Sequence, residues 1–290
     1  MSGLRSAVLH SLAGLVRQTI PFTVVAWVGL GLGTPLAGQE DFRAADLDRP
    51  ILVEDAYPVK FREWEFEMGL RGGLAEGARG VELIAELKTG LFLNGQAGLE
   101  LEAGAQDQGN GSEAGTVSGI ETVRGHLLYN FNRETWSWPA FAVRVDLSTP
   151  GTGSLGRQDW GIGFKGIATR SLGRVRMHAN GGYVAASADD AGDYWQLGLA
   201  FDYPIGLFSK AIVGDIYMEL PVNAGRTRVW AEFGTRWQIS NLSVLDFGIA
   251  SRLDEWEAGN ANVQLILGIS RVFGLAALVS VPRYPNPRIN

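Results

Sequence analysis

Charged side chains recur at every second position over much of the chain after residue 60, a spacing that could line a polar passage. The acidic members come mostly early in the chain, and the basic members come mostly later. If all of them faced one interior, acid on one wall and base on the other would set up a field that orients dipolar solutes and disfavours purely apolar ones. The candidate lining residues are Glu65, Glu67, Glu82, Glu86, Glu100, Glu102, Arg124, Arg144, Lys165, Arg176, Glu232, Arg236 and Arg252.

The same charges could also pair with one another across the interior and close it. Side chains fill the interior of a barrel of about eight strands, whereas a barrel of sixteen strands is open. The sequence leaves both alternatives, an open pore and a filled one.

Two histidines, His126 and His178, are the candidate bases for catalysis. A hydrolytic site needs a nucleophile within hydrogen-bond reach of its base and a third group that orients the base. Neither histidine has an inward serine on its own strand, although a neighbouring strand could supply one. Two separated histidines without a carboxylate cluster are also a poor metal site. The sequence therefore predicts no catalytic residue, no metal and no cofactor.

A glycine-rich segment, Gly151-Thr152-Gly153-Ser154-Leu155-Gly156, matches the glycine fingerprint of dinucleotide sites. That fingerprint requires a helix whose N-terminus holds the pyrophosphate. Here residues 160–164 alternate as a strand, so the segment is predicted to be a loop.

The elements that position the charges are strands with strict alternation. Trp195, Leu197 and Leu199 face one way while Gln196 and Asp202 face the other. About twelve such strands lie between residues 62 and 273, and the fourth and fifth are predicted at 121–131 and 138–147. Alternation without a long apolar run is typical of a transmembrane antiparallel up-and-down β-barrel, because each strand shows one face to lipid and the other to the interior.

The connections alternate between tight turns and longer loops rich in Gly, Asp, Ser or Asn. Asn94-Gly95 is a strong hairpin signal, and residues 132–135 are predicted to form another tight turn. Outer-membrane barrels combine short periplasmic turns with long outer loops, so an even number of strands predicts that both termini are periplasmic. The alternative is a soluble β-sandwich or propeller, which also alternates.

The composition limits the remaining possibilities. The chain has 290 residues, a formal net charge of −6 and no cysteine, so it offers no thiolate site and no basic stripe for nucleic acid. Residues 1–38 are predicted to be an export signal, with a retained inner-membrane anchor as the alternative. Residues 39–61 are predicted as a periplasmic lead-in, 62–273 as the barrel and 274–290 as a C-terminal tail.

One segment supports a family resemblance: Asp48-Arg49-Pro50-Ile51-Leu52-Val53-Glu54-Asp55-Ala56-Tyr57-Pro58, followed by a strand of alternating acidic and aromatic residues. It resembles the opening of the outer-membrane barrel family named for a MetA pathway of phenol degradation. Lys210-Ala211-Ile212-Val213-Gly214-Asp215-Ile216-Tyr217 resembles a late strand of that family. The resemblance implies a signal-bearing barrel of a Gram-negative outer membrane that takes up small compounds, aromatic ones among them, and it brings no catalytic residues.

The sequence thus predicts a porin-like passive channel or transporter in the cell outer membrane, not an enzyme. Its expected partners are outer-membrane lipid, small solutes, and the periplasmic chaperones and barrel-assembly machinery that an exported barrel requires. The alternatives are a non-transporting structural barrel and an outer-membrane lipid hydrolase.

Overall fold

A computed structural model describes residues 46–47, 50–73, 80–108, 115–187, 192–206, 209–223, 225–254 and 263–274. The predicted export signal at 1–38 and nearly all of the predicted tail, from residue 275 onward, lie outside the described residues. Leu36–Leu275 forms one compact unit, which contains every described residue. Among these residues, no helix has the length and apolar character needed to cross a membrane.

The unit is a closed antiparallel barrel of twelve strands preceded by two very short strands that pair in parallel. The short strands are β1 (Asp46–Leu47) and β2 (Pro50–Ile51). The barrel consists of β3 (Glu63–Gly73), β4 (Gly80–Phe92), β5 (Gly95–Gln108), β6 (Gly115–Asn130), β7 (Ala140–Ser148), β8 (Gly161–Leu172), β9 (Val175–Ala186), β10 (Tyr194–Ile205), β11 (Lys210–Pro221), β12 (Arg228–Ser240), β13 (Ser243–Arg252) and β14 (Val263–Gly274).

Each barrel strand pairs with its neighbours in sequence, and β14 pairs with β3 to close the ring. Closure leaves no unpaired sheet edge, which a membrane-spanning sheet requires because lipid cannot hydrogen-bond the backbone. The predicted fold class and strand number are confirmed. The periplasmic orientation of the termini stays a prediction.

The alternation of the sequence becomes an apolar outer surface and a polar interior. Leu99, Leu197 and Leu265 are 59%, 42% and 48% exposed, whereas Glu67 is 0% exposed. A soluble β-sandwich would bury such leucines in its core, so that alternative is wrong. The barrel and its apolar outer belt place the protein in the outer membrane.

Aromatic side chains cluster near both ends of the strands. Phe131 packs edge-on against Tyr129 with ring centres 5.2 Å apart, and Phe92 lies 5.9 Å from the same tyrosine. At the opposite end, Tyr183 and Trp195 are 4.9 Å apart. Such rings favour the boundary between lipid and water, where their apolar bodies and polar tips are both accommodated.

Two predicted boundaries are wrong. Strand β6 begins at Gly115 rather than at residue 121, because a bulge between Glu102 and Ala103 shifts its register with β5 and interrupts the alternation. The connection between β6 and β7 covers 131–139 rather than a tight turn at 132–135. The Asn132 side chain holds it together by bonding the Pro139 carbonyl and the Phe141 amide.

The chain enters the first barrel strand through a sharp reversal. The Glu63 amide donates to the Lys60 carbonyl, and the Arg62 amide donates to the Gly90 carbonyl of β4. Arg62 has a φ of 68°, in the left-handed region that side chains other than glycine rarely adopt. The reversal directs the residues before it into the barrel, so residues 51–60 of the predicted lead-in lie inside the ring.

Candidate functional site: a charged lumen and its N-terminal plug

Residues 51–60, called the plug here, cross the barrel interior and are bonded to side chains of β11, β9, β8, β6 and β5. The Leu52 and Val53 amides donate to Asp215 Oδ2 of β11, at 2.7 and 3.0 Å. Further along, the Glu54 backbone makes two bonds with the Asn180 side chain of β9, which donates to the Glu54 carbonyl and accepts from its amide. The plug is therefore held by side chains of the wall.

The second half of the plug continues to the other side of the ring. The Ala56 amide donates to Thr169 Oγ1 of β8 at 2.9 Å, and the Ala56 carbonyl accepts from Asn130 Nδ2 of β6 at 2.7 Å. The Val59 amide donates to Gln96 Oε1 of β5. These bonds satisfy backbone groups that would otherwise be buried without partners, which costs about 1–3 kcal/mol each.

Apolar residues of the plug pack on apolar patches of the inner wall. Ile51 and Val53 join a buried cluster with residues of β10 and β11, and Ala56 joins a second cluster with residues of β6, β7 and β8. A Cβ placed at Gly198 would lie 2.5 Å from Val53 Cγ2, and one at Gly90 would lie 2.3 Å from the Lys60 carbonyl oxygen. The plug is thus fitted to this wall and needs glycine at both positions.

The basic wall of the lumen holds the two acidic side chains of the plug. Glu54 lies 2.9 Å from Arg144 Nη1 and 3.5 Å from Lys165 Nζ, and Asp55 lies 3.8 Å from Arg176 Nη2. The same arginines also have partners on the wall, because Arg144 contacts Asp146 at 2.7 Å and Arg176 contacts Asp202 at 2.8 Å. Plug and wall together neutralise this side of the interior.

The acidic wall is neutralised by bases on β4 and β6. Lys88 of β4 lies 2.7 Å from Glu67 and 3.5 Å from Glu65. Arg124 of β6 contacts Glu100 at 2.5 Å and Glu102 at 2.8 Å. The interior thus contains paired charges, as the filled-lumen alternative expected. Pairing matters because an isolated buried charge costs several kcal/mol.

The structure places all the candidate lining residues on the inner side of the barrel. Two further pairs of this kind are Arg236 with Asp246 at 2.9 Å and Arg71 with Glu232 at 3.5 Å. The buried candidates are Glu65, Glu67, Glu86, Glu100, Arg144, Lys165, Arg176, Glu232 and Arg236. Those that border a cavity are Glu82, Glu102, Arg124, Lys165 and Arg252.

A polar cavity of about 490 Å³, called the vestibule here, lies inside the barrel next to the plug, and Leu52 of the plug borders it. It lies toward the end of the barrel with the longer connections, since Arg71, Val184 and Tyr194 border it near those ends of their strands. Acidic residues on β4, β5, β6, β7 and β11 and basic residues on β3, β6, β8, β12 and β13 are interspersed around it. The charged residues around it are Arg71, Glu82, Glu102, Glu121, Arg124, Asp146, Arg157, Lys165, Glu219, Arg228 and Arg252.

Two connections at this end of the barrel are held by hydrogen bonds, and the first of them borders the vestibule. The connection 149–160 folds back on β6, where the Thr152 amide bonds the Ile120 carbonyl and the Arg157 amide bonds the Glu121 carbonyl. This is the glycine-rich segment, and the structure confirms that it is a loop. On another side, bonds from the Tyr183 hydroxyl and the Ala186 amide hold the pKa of Asp193 below its usual value.

Three carboxylates at the vestibule come close together. The oxygens of Glu82, Glu102 and Glu121 lie within 4.8 Å of one another. Arg124 already bonds Glu102, and Arg157 attracts Glu121 electrostatically, so the protein itself supplies cations to this group. We assign no metal ion to it.

Both histidines serve to anchor the plug. His178 lies between Asp202 and Thr169, at 3.2 and 3.1 Å, and the Thr169 oxygen accepts the Ala56 amide. A hydroxyl, an imidazole and a carboxylate in a row resemble a hydrolytic site, but these three residues are at most 1% exposed beneath the plug. His126 contacts Gln96, which in turn holds Val59. Both histidines are thus buried and hydrogen-bonded to wall residues that hold the plug.

Sequence reasoning missed the plug and most of its anchors. The anchoring residues are polar side chains on inward positions, where any polar residue fits the pattern: Gln96, Asn130, Thr169, Asn180 and Asp215. One signal was present, since Ile51-Leu52-Val53 is an apolar run in an otherwise polar segment.

Comparison with solved structures supports the fold. An outer membrane channel from Pseudomonas putida F1 is 12% identical, with a TM-score of 0.56, and the match covers 76% of this chain and 98% of that one. This is an outer-membrane β-barrel fold. The NanC porin is 12% identical with a TM-score of 0.49, covering 70% and 98%. LpxR from Salmonella typhimurium is 11% identical with a TM-score of 0.45, covering 72% and 100%.

At these low identities the likeness shows the fold. No model of a known protein family matches the sequence, and no curated protein matches it either. Membership of the phenol-degradation family therefore stays a prediction.

Proposed function

We propose that this barrel is a passive channel for small polar solutes, whose lumen is closed in this structure by the plug. The observation that carries the proposal is how the plug is attached. Residues 52–59 form no backbone ladder with a barrel strand, and the backbone bonds that attach them to the barrel go to single side chains of the wall. Such bonds can be exchanged for bonds to water, so the plug can rearrange while the barrel stays closed on itself.

The solute class follows from the charges around the vestibule. Acidic and basic residues side by side around one polar cavity favour dipolar molecules over purely apolar ones. Small aromatic compounds, which the family resemblance implies, fit this lumen when they carry a hydroxyl or another polar group. The outward face of the barrel contacts lipid, and solutes approach through the vestibule.

Planar-bilayer conductance of the refolded protein, together with liposome swelling in small sugars and in phenol, tests the proposal. We expect small conductance from the wild type and larger conductance from Asp215→Ala, because that variant removes the acceptor of two plug amides. Asp159→Ala, in the connection 149–160, is the matched control and should behave as the wild type. If wild type and Asp215→Ala are both silent and admit no solute, the barrel is not a channel.

A further inference from the structure

The plug presents its two carboxylates to the most basic part of the lumen in the way that a bound ligand would. We infer that Arg144, Lys165 and Arg176 form a binding site for a small dicarboxylate solute, and that Glu54 and Asp55 occupy this site when the plug is in place. The inference deepens the proposed function, because it names the solute class of the channel. The binding itself can be measured without any flux.

The charges of the wall support the inference. Arg144, Lys165 and Arg176 carry three positive charges, and their carboxylate neighbours on the wall, Asp146 and Asp202, carry two negative charges. Glu54 and Asp55 add two more negative charges. Glu86 and Glu100 also attract Arg144. When the plug leaves, the three bases lose two of their carboxylate partners, which an incoming anion can replace.

The geometry defines the ligand further. Arg144 and Lys165 share one carboxylate, that of Glu54, while Arg176 faces the carboxylate of the adjacent residue, Asp55. A solute with two carboxylates presents the same groups to these bases. Arg144 Nη2 is buried and has no hydrogen-bond partner, so the site has a donor that the plug does not use. Guanidinium groups favour carboxylates because two parallel N–H groups match two oxygens.

Polar groups next to these bases complete the site. Asn180 and Thr169 bond the plug backbone at Glu54 and Ala56, and both side chains remain on the wall when the plug moves. They can then bond a hydroxyl, an amide or water carried by the solute. These groups lie on β8 and β9, the same strands that carry Lys165 and Arg176.

Calorimetric titration of the refolded full chain with succinate tests the inference. The key variant is Glu54→Gln with Asp55→Asn, which keeps the shape of the plug and removes its charges. We expect it to bind succinate about tenfold more tightly than the wild type, because a tethered competitor lowers apparent affinity. Adding Lys165→Gln should then weaken binding about tenfold, the size of one charged hydrogen bond. Adding Lys210→Gln, an exposed lysine at the start of β11, is the matched control and should change nothing.

Three further probes set the ligand class. We expect 1,4-butanediol and putrescine, which share the carbon chain without the negative charge, not to bind. Inorganic phosphate should bind more weakly than succinate, and equal binding would overturn the carboxylate assignment. If succinate affinity changes neither when the plug charges are removed nor when Lys165→Gln is added, the ligand binds elsewhere and the inference is overturned.

Conductance separates this inference from the proposed function. A barrel that conducts without binding succinate at Lys165 remains a channel, and only the dicarboxylate site is lost. A barrel that binds succinate as expected and never conducts keeps the site and loses the channel. Folding of each variant is checked first by its migration on an unheated gel.

Discussion

Buried charges in this lumen are neutralised mostly by groups on adjacent strands and on the plug, and register decides which charges meet. Glu67 and Glu86 are direct partners across β3 and β4, an arrangement of like charges that destabilises a sheet. Lys88, two residues further along β4, lies 2.7 Å from Glu67 and compensates. The sequence shows these charges on inward positions but does not show their partners, because a partner depends on register and on long side chains.

The pair Arg236–Asp246 allows this principle to be tested at one residue. The two groups are 2.9 Å apart, and their side chains are 1% and 0% exposed. Asp246→Ala leaves a buried guanidinium without its carboxylate, and we expect it to lower the free energy of unfolding by about 3–5 kcal/mol. Urea titration of the refolded barrel in lipid vesicles measures this change.

An exposed pair provides the control for that experiment. Arg228 and Glu219 are 2.9 Å apart, but the arginine side chain is 57% exposed, so Glu219→Ala should cost at most about 1 kcal/mol. The double variant Arg236→Met with Asp246→Leu removes both buried charges and should recover most of the stability lost in Asp246→Ala. Equal losses in the buried and exposed single variants would show that burial does not set the energetics of these pairs.

Gly90 tests the fit between the plug and the wall. A Cβ at this position would lie 2.3 Å from the Lys60 carbonyl oxygen and 2.6 Å from that of Val59, and backbone cannot give way as a side chain can. We therefore expect Gly90→Ala to displace the end of the plug. The chain has no cysteine, so Val59→Cys provides a unique label, whose reaction with a charged maleimide should become faster in the Gly90→Ala background.

Gly125→Ala is the matched control, because a Cβ at Gly125 has no atom within 4 Å. Labelling at position 59 should stay at its original rate in that variant. Unchanged labelling in Gly90→Ala as well would mean that the plug is not held against β4.

At the scale of elements, the strands could be predicted wherever lipid and lumen impose opposite demands on neighbouring residues. β10 shows this, with Trp195 and Leu197 exposed on the outside and Gln196 buried within. The prediction failed at the start of β6, where Gly115–Ile120 carries little apolar alternation and a bulge shifts the phase. It also failed at 131–139, because side-chain bonds of Asn132 organise that connection and leave no periodic signal.

The plug could not be predicted by the same means. Its bonds reach wall residues between 37 and 163 positions away in sequence, and no two neighbouring plug residues bond neighbouring wall residues in the order of a ladder. Periodicity reports local geometry and the environment of each face. The plug forms its backbone hydrogen bonds with side chains scattered along the sequence, so it has neither a regular local geometry nor a face with one environment.

Whether the plug must move as an element can be tested with a reversible lock. A Cβ at Gly198 would lie 3.7 Å from Val53 Cβ, within the range that a disulfide bridges. We expect Val53→Cys with Gly198→Cys, when oxidised, to abolish conductance, and we expect reduction to restore it. Each single cysteine variant is the control and should not respond to oxidant. Conductance that persists in the oxidised double variant would mean that solutes pass beside a stationary plug.

At the scale of the whole molecule, the distribution of polarity is the reverse of that in a soluble protein. Acidic and basic side chains such as Glu100 and Arg144 are only 1% exposed, whereas apolar side chains such as Phe164 are more than half exposed. This inversion follows from the solvent on each side, because hydrocarbon covers the outer face and the plug with its charge pairs fills the inner one.

A single charge on the outer face distinguishes a lipid-embedded surface from a water-exposed one. Leu199, near the middle of β10, is 63% exposed. In water, Leu199→Arg would change stability by less than about 0.5 kcal/mol. At the middle of a bilayer the same change costs about 2–4 kcal/mol, since the guanidinium must enter hydrocarbon or distort the lipid. Urea titration in vesicles should show the larger loss, and Trp136→Arg, in the exposed connection 131–139, should show almost none. Equal small effects at both positions would contradict a lipid-facing β10.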